Sequence, residues 1–333
     1  MEVGSLQDAA AQPTKREWPT VIARFWRVAG IYLSLLVIGI GLSMLSPNFL
    51  TRLNIVELIN YTTIIAIVAL GQTFVIGGRG IDLSVGSVVA LTACVMALLV
   101  ADYSMSPYLA ILLGVTMSTT IGALHGFLIS RLGVPDLVVT LAGLEVWRGV
   151  TYLYFEERVI SRFDPVMRFA GNYRFNDWLP AAVLILLILL VFSASVLKFT
   201  PLGRYILAIG GNRKAAEYVG INYYKYKTLS YAISGFFCGF AAWILIGRLN
   251  AVQSSLAIGY ELQSIAAVVI GGTSLFGGIA SAFGTVAGAL LIAMIRNGLL
   301  LGGINFYWYL IILGVLLVVS VALPAWERRK EAR

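Results

Sequence analysis

The run AAVLILLILLVF at 181–192 is continuously apolar, and few structures can accommodate it. A membrane β-barrel alternates apolar and polar residues along strands of about ten, so an unbroken run argues for a helix surrounded by lipid or protein on every side. Apolar residues make up 59% of the 333-residue chain and charged residues only 12%, whereas a soluble surface needs about 25% charged residues. A transmembrane helix takes about 20 apolar residues, so this composition provides for about ten spans with little chain left for an aqueous domain. The chain reads as all-α, a polytopic integral membrane protein.

Spans are expected at 28–46, 55–76, 84–101, 107–130, 136–155, 179–198, 228–249, 258–275, 279–299 and 305–323. An even number puts both termini on one side, and basic residues choose the side. Of the 24 Lys and Arg, four lie in the tail 1–27, six in 198–227 and four after Pro324, with Arg79 and Arg131 in short loops on the same side. These mark the expected cytoplasmic face. They also account for the net charge of +8 without a nucleic-acid partner. The opposite loop, 156–178, balances four Arg against Glu156, Glu157, Asp164 and Asp177 and is expected outside. The chain then divides into a cytoplasmic tail 1–27, a membrane domain 28–323 and a cytoplasmic tail 324–333. The first tail has Glu2, Asp8 and Lys15 and no apolar core, so it is expected to remain attached rather than be cleaved.

Catalysis finds little material here. Cys94 and Cys238 are far apart within apolar stretches, and His125 is the single histidine, so neither a disulfide framework nor a metal site is expected. No H-E-x-x-H, G-x-S-x-G or phosphate-cradling G-x-x-x-x-G-K-[ST] occurs. The reading is a non-enzyme without cofactor; if ATP drives it, a partner supplies the site.

Two segments resemble one another, VIGGRGIDLSVGSVVAL at 75–91 and VIGGTSLFGGIASAFGTVAGAL at 269–290. Each runs from an apolar span into Gly-Gly (Gly77-Gly78, Gly271-Gly272) and through a Gly-rich bend into a second span of small residues. Duplicated membrane units give this pattern, and so do the small residues of packed membrane helices in general. The loop FTPLGRYILAIGGNRKAAEYVGINYYKYK at 199–227 exceeds a simple connector. Asn212 can cap a short helix there and Gly220 can end it. Such a helix serves either as a docking element or as a membrane-surface helix.

Together GIDLSVGS at 80–87, PLGRYILAIGGNRKAAEYVGI at 201–221 and GYELQSIAAVVIGGTSLFGG at 259–278 resemble the permease family of ABC importers for ribose and other monosaccharides. The resemblance implies a ten-span permease, a second permease subunit identical to it or paralogous, an extracytoplasmic sugar-binding protein and cytosolic ABC ATPases. It further implies that Ala215-Ala216 followed by Gly220 is the coupling pattern, with Asn212, Arg213 and Lys214 beside it. Lys214 stands where the wider pattern often has Glu.

Ionisable residues in spans face cavities or partner helices. Glu145 and Arg148, three apart, are expected to neutralise one another. Asp82 and Ser84 stand where a helix cap belongs, and Glu261 borders a span; these are gating or structural candidates, as are the two Gly-Gly pairs. A sugar path needs hydrogen-bonding side chains, and Asn60, Gln72, Thr73, Thr140, Gln263 and Asn297 are the candidates, each equally able to bond a neighbouring helix. The reading that follows is a monosaccharide or polyol importer permease. Alternatives are the same permease type carrying a sugar-derived signalling molecule such as autoinducer-2, and a secondary transporter or channel without ATPase, for which mid-span titratable groups are scarce.

Overall fold

The computed structural model describes residues 18–156, 158–175 and 178–331. Most of the 1–27 tail lies outside them, as do Glu157 and Asp177. Each of the ten expected spans falls on a helix: α1 (Trp18–Leu45), α2 (Arg52–Gly77), α3 (Val85–Ala101), α4 (Pro107–Arg131), α5 (Asp136–Phe155), then, beyond the short α6 (Pro165–Asn172), α7 (Ala181–Phe199). The 199–227 loop forms α8 (Pro201–Gly211) and α9 (Arg213–Tyr218), after which come α10 (Tyr223–Leu249), α11 (Tyr260–Ile270), α12 (Ala282–Leu301) and α13 (Tyr307–Glu331). Short antiparallel pairs, β1 (Ile160–Ser161) with β4 (Ala251–Val252) and β2 (Arg174–Phe175) with β3 (Leu179–Pro180), fasten the 156–178 segment. The chain is a polytopic all-α membrane protein.

Five helices, α2, α4, α7, α10 and α12, are long and apolar enough to cross a membrane, and α1, α3, α11 and α13 contribute shorter apolar stretches. Helix α5 stands apart because it carries Asp136, Glu145 and Arg148 along its 20 residues. The expected span 258–275 is corrected: α11 has 11 residues, which at 1.5 Å each is about half of a 30 Å hydrocarbon layer. Gly271-Gly272 ends it, with Gly272 at φ +89°, in the left-handed region that side chains disfavour.

Helices α2 and α10 form the centre. From Asn60 to Gly77 every residue of α2 is buried, and α10 packs on α4, α2, α6 and α3. Lipid tails are as apolar as the helices, so close backbone approach and hydrogen bonds must hold the bundle. The α4–α10 seam shows how: a Cβ on Gly235 would run into the Ser118 carbonyl, and one on Gly122 into that of Tyr231.

The two similar segments have one shape and lie together. Each is a helix, a Gly-Gly break and a second helix preceded by serine, α2–α3 with Ser84 and α11–α12 with Ser281. The Gly278 N–H donates to the Gly77 carbonyl at 2.9 Å, and the Thr73 and Thr285 hydroxyls meet at 2.8 Å.

Candidate functional site

The irregular stretch 78–84 between α2 and α3 runs through the protein interior. Backbone carbonyls in such a place must find protein partners, since each orphan costs several kcal/mol. They do so through side chains from three helices. The buried Lys227 ammonium of α10 donates to the carbonyls of Gly78 at 3.3 Å and Arg79 at 3.0 Å and to Asp136 Oδ2 at 2.8 Å. The Tyr231 hydroxyl lies 3.2 Å from the Ile81 carbonyl and 3.0 Å from the same Asp136 oxygen. From α5, the Thr140 hydroxyl reaches the Ile81 carbonyl at 3.3 Å. From α2, the Gln72 amide donates to the Asp82 carbonyl.

Asp82 is 2% exposed. Its role differs from the expected helix cap: Oδ1 accepts from the Ser84 N–H at 3.0 Å and the Ser84 hydroxyl at 2.6 Å, and Oδ2 accepts from Ser234 at 3.1 Å. A bond chain continues from Ser84 into α4 and α5. The Trp147 indole N–H, which can only donate, points at His125 Nε2 at 2.9 Å, so that nitrogen accepts. A neutral imidazole then carries its proton on Nδ1 and donates to Ser84 Oγ, 3.2 Å away, leaving the serine proton for Asp82. His125 thus belongs to a directed relay of bonds that orients the start of α3.

The second break is pinned differently. The Ser281 N–H donates to Thr273 Oγ1 at 3.1 Å, and Ser281 Oγ accepts from the Gly284 N–H at 3.1 Å. Glu261 Oε1 accepts the Gly259 N–H at 3.1 Å, at the head of α11. A Cβ on Gly210 of α8 would meet the Gly77 carbonyl, and one on Gly277 the Gly210 carbonyl. Helix α8 therefore rests directly against both breaks.

The expected ion pair within α5 does not form. Arg148 Nη1 donates to the carbonyls of Ser254 at 3.0 Å and Leu256 at 2.8 Å, clamping α5 to the α10–α11 connection. Glu145 is exposed and makes no ion pair among the described residues. Three residues place the two side chains about 60° apart around the helix. That is enough for the guanidinium to turn inward while the carboxylate stays on the outer face.

Helix α9 carries the expected caps: Asn212 Oδ1 accepts from the Ala215 N–H at 3.1 Å, and Gly220 has φ +83°. The Ile221 N–H returns to the Ala216 carbonyl at 2.9 Å. Arg213 is held by Glu217 at 3.0 Å and sits over the Tyr223 ring at 3.7 Å. Ala216, expected on the docking surface, is 4% exposed and faces its own bundle. The outward face bears Lys214, Ala215, Tyr218 at 89% exposure and Val219 at 76%.

The pathway candidates separate into two sets. Gln72, Thr73 and Thr140 are wholly buried; Thr73 bonds α12, whereas Gln72 and Thr140 bond the first break, with Gln72 Oε1 left without a partner. Asn60, Gln263 and Asn297 gather at the other end of the bundle. There Gln263 Oε1 accepts from the Tyr61 hydroxyl at 2.6 Å, Asn297 exchanges two hydrogen bonds with Asn54 at 2.6 and 3.1 Å, and Asn60 Oδ1 is buried without a partner. Arg296 lies 4.1 Å over the Tyr61 ring, and Arg248 pairs with Glu57. Sequence reasoning missed Tyr61, Lys227, Asp136 and Tyr231. Aromatic and ionisable residues within apolar periods are the signal that flags them. No cluster of three or more His, Cys, Asp or Glu able to hold a metal occurs among the described residues.

This arrangement offers no reacting pair. It offers two helix breaks joined by the Gly278–Gly77 and Thr73–Thr285 hydrogen bonds. Residues 54–321 match the family described as the permease component of the branched-chain amino acid transport system. The ribose import permease of Haemophilus influenzae is 36% identical over 90% of this chain and 94% of its own, and that of Bacillus subtilis 36% over 91% and 93%. The fructose import permease of Rhizobium meliloti is 32% identical over 91% of this chain and 85% of its own. No solved structure matches. The chain belongs to the family of permease components described for branched-chain amino acid transport systems.

Proposed function

We propose that this chain is the membrane permease subunit of an ATP-driven importer of a monosaccharide. The observation that carries the reading is its relatedness, over about nine-tenths of its length, to permeases named for ribose and fructose import. The chain itself hydrolyses nothing. A cytosolic ABC ATPase docks on α9, a second permease subunit completes the pore, and an extracytoplasmic binding protein delivers the sugar and supplies selectivity.

Support for the docking assignment is the exposed apolar face Ala215, Tyr218 and Val219 on a helix capped at both ends. Exposed aromatics of this kind anchor interfaces. Motion of α9 reaches the membrane through α8, whose Gly210 lies against Gly77 of the first break and Gly277 in the bend of the second, and through α10, whose Lys227 holds the first break. The polar groups Asn60, Gln263 and Asn297 line the sugar's route, with Tyr61 as an aromatic platform beside them. Both termini and α9 face the cytoplasm in this reading, and α6 faces outward, in line with the distribution of basic residues. Impermeant labelling of Ala215→Cys and Asn172→Cys in intact cells tests the orientation: position 172 reacts and 215 does not. Reconstitution with a cognate ABC ATPase and sugar-binding protein tests the activity. ATP-dependent uptake of labelled ribose or fructose is expected, and uptake indifferent to ATP would reject the proposal.

A further inference from the structure

A cavity of about 850 Å³ opens between the first turns of α4, the short helix α6 and the last third of α10. Its walls include Tyr108, Ile111, Val166, Phe169 and Trp243, and Arg168 reaches into the same space. Two of these groups are left incomplete. The Arg168 Nε and the Trp243 Nε1 are both buried and have no hydrogen-bond partner. A buried donor without a partner costs about 1–3 kcal/mol, and two in one cavity, one of them on a cation, call for a shared acceptor carrying negative charge. Apart from Asn172 the rest of the lining is apolar or aromatic, which suits a hydrocarbon chain more than a free ion.

The depth fits as well. Tyr108 is the second residue of α4 and Trp243 stands six residues before the end of α10, so at 1.5 Å per residue the indole lies about 9 Å inside the helix end. That is the level at which headgroup meets acyl chain, where Tyr and Trp concentrate. The exposed Leu112, one turn on from Tyr108, extends that side of α4 as apolar surface. We infer that this cavity holds an anionic phospholipid, its phosphate accepting from Arg168 and Trp243 and one acyl chain lying along Ile111 and Phe169. Lipid bound there would brace α6 against α10 at the seam where a Cβ on Gly171 would strike Arg248 and Gly247.

Native mass spectrometry of the intact transporter, delipidated and titrated with phosphatidylglycerol, diacylglycerol or glycerol 3-phosphate, tests this. Phosphatidylglycerol is expected to bind about tenfold tighter than diacylglycerol, which lacks the phosphate, the effect of one charged hydrogen bond. Arg168→Gln should erase that preference, and Trp243→Phe should reduce it about threefold, the effect of one neutral bond. Should Arg168→Gln fail to assemble, Arg168→Lys is expected to keep the preference for the anionic lipid while Trp243→Phe still weakens it. Equal binding of the two lipids overturns the inference, and so does unchanged preference in Arg168→Gln, or in Trp243→Phe where Arg168→Gln does not assemble. Glycerol 3-phosphate binding as tightly as phosphatidylglycerol would assign the site to a free phosphate and reject the lipid. Loss of binding-protein association in these variants with lipid preference intact would assign it to a protein contact and likewise reject the lipid.

Discussion

Lys227 donates to Asp136 across 2.8 Å with only 3% of the lysine side chain exposed. This bond joins the first turns of α10, just after the surface helix α9, to the head of α5. The same ammonium holds the carbonyls of Gly78 and Arg79. Lys227 is buried while Asp136 is 27% exposed, so loss of either partner is expected to cost less than the ~3 kcal/mol of a fully buried pair. Lys227→Met and Asp136→Asn are each expected to lower the thermal midpoint of the solubilised permease. The double change should lie well short of their sum, and strict additivity would contradict direct pairing.

Arg148 is hydrogen-bonded to backbone carbonyls and forms no ion pair with Glu145, so the two positions should couple only weakly. Arg148→Gln is expected to destabilise by about 2 kcal/mol, the cost of losing hydrogen bonds to a charged donor. Glu145→Gln, on the exposed face, should change stability little. The interaction energy between them, read from a double-mutant cycle of thermal midpoints, should fall below about 0.5 kcal/mol.

Glycine on two helices gives a paired test of packing. At Gly235 an added methyl meets the Ser118 carbonyl across the α4–α10 seam, whereas at Gly149 of α5 nothing lies within 4 Å. Gly235→Ala is expected to lower folded yield sharply. Gly149→Ala should be neutral or stabilising by about 0.5–1 kcal/mol, the helix preference of alanine over glycine. Fluorescence-detected size exclusion of the two variants compares them directly.

Helix positions were legible from apolar runs, and the caps of α9 from Asn212 and Gly220, because both depend on local chemistry. Tertiary choices were not. Lys227 counts in the sequence as one of six basic residues of a loop, and nothing local distinguishes it from the exposed Lys225. Which alanine of the 215–216 pair faces outward depends on how α8 and α10 seat α9. The Glu145–Arg148 spacing permits a pair, yet the bare carbonyls of the α10–α11 connection, far away in sequence, compete for the guanidinium and win. The span 258–275 was overestimated because apolar residues continue past Ile270 into a Gly-rich break that has no helical period.

The claim that matters most is that the outward face of α9 meets the ATPase. The native Cys94 and Cys238 are buried, so single cysteines can report contact in the assembled transporter. Cross-linking of Tyr218→Cys to the ATPase with a short thiol-reactive linker tests it, with Ala216→Cys and Asn172→Cys for comparison. The account predicts a permease–ATPase adduct from position 218 and none from the inward-facing 216 or from 172. An adduct from 172, or none from 218 in a complex that still transports, would contradict it.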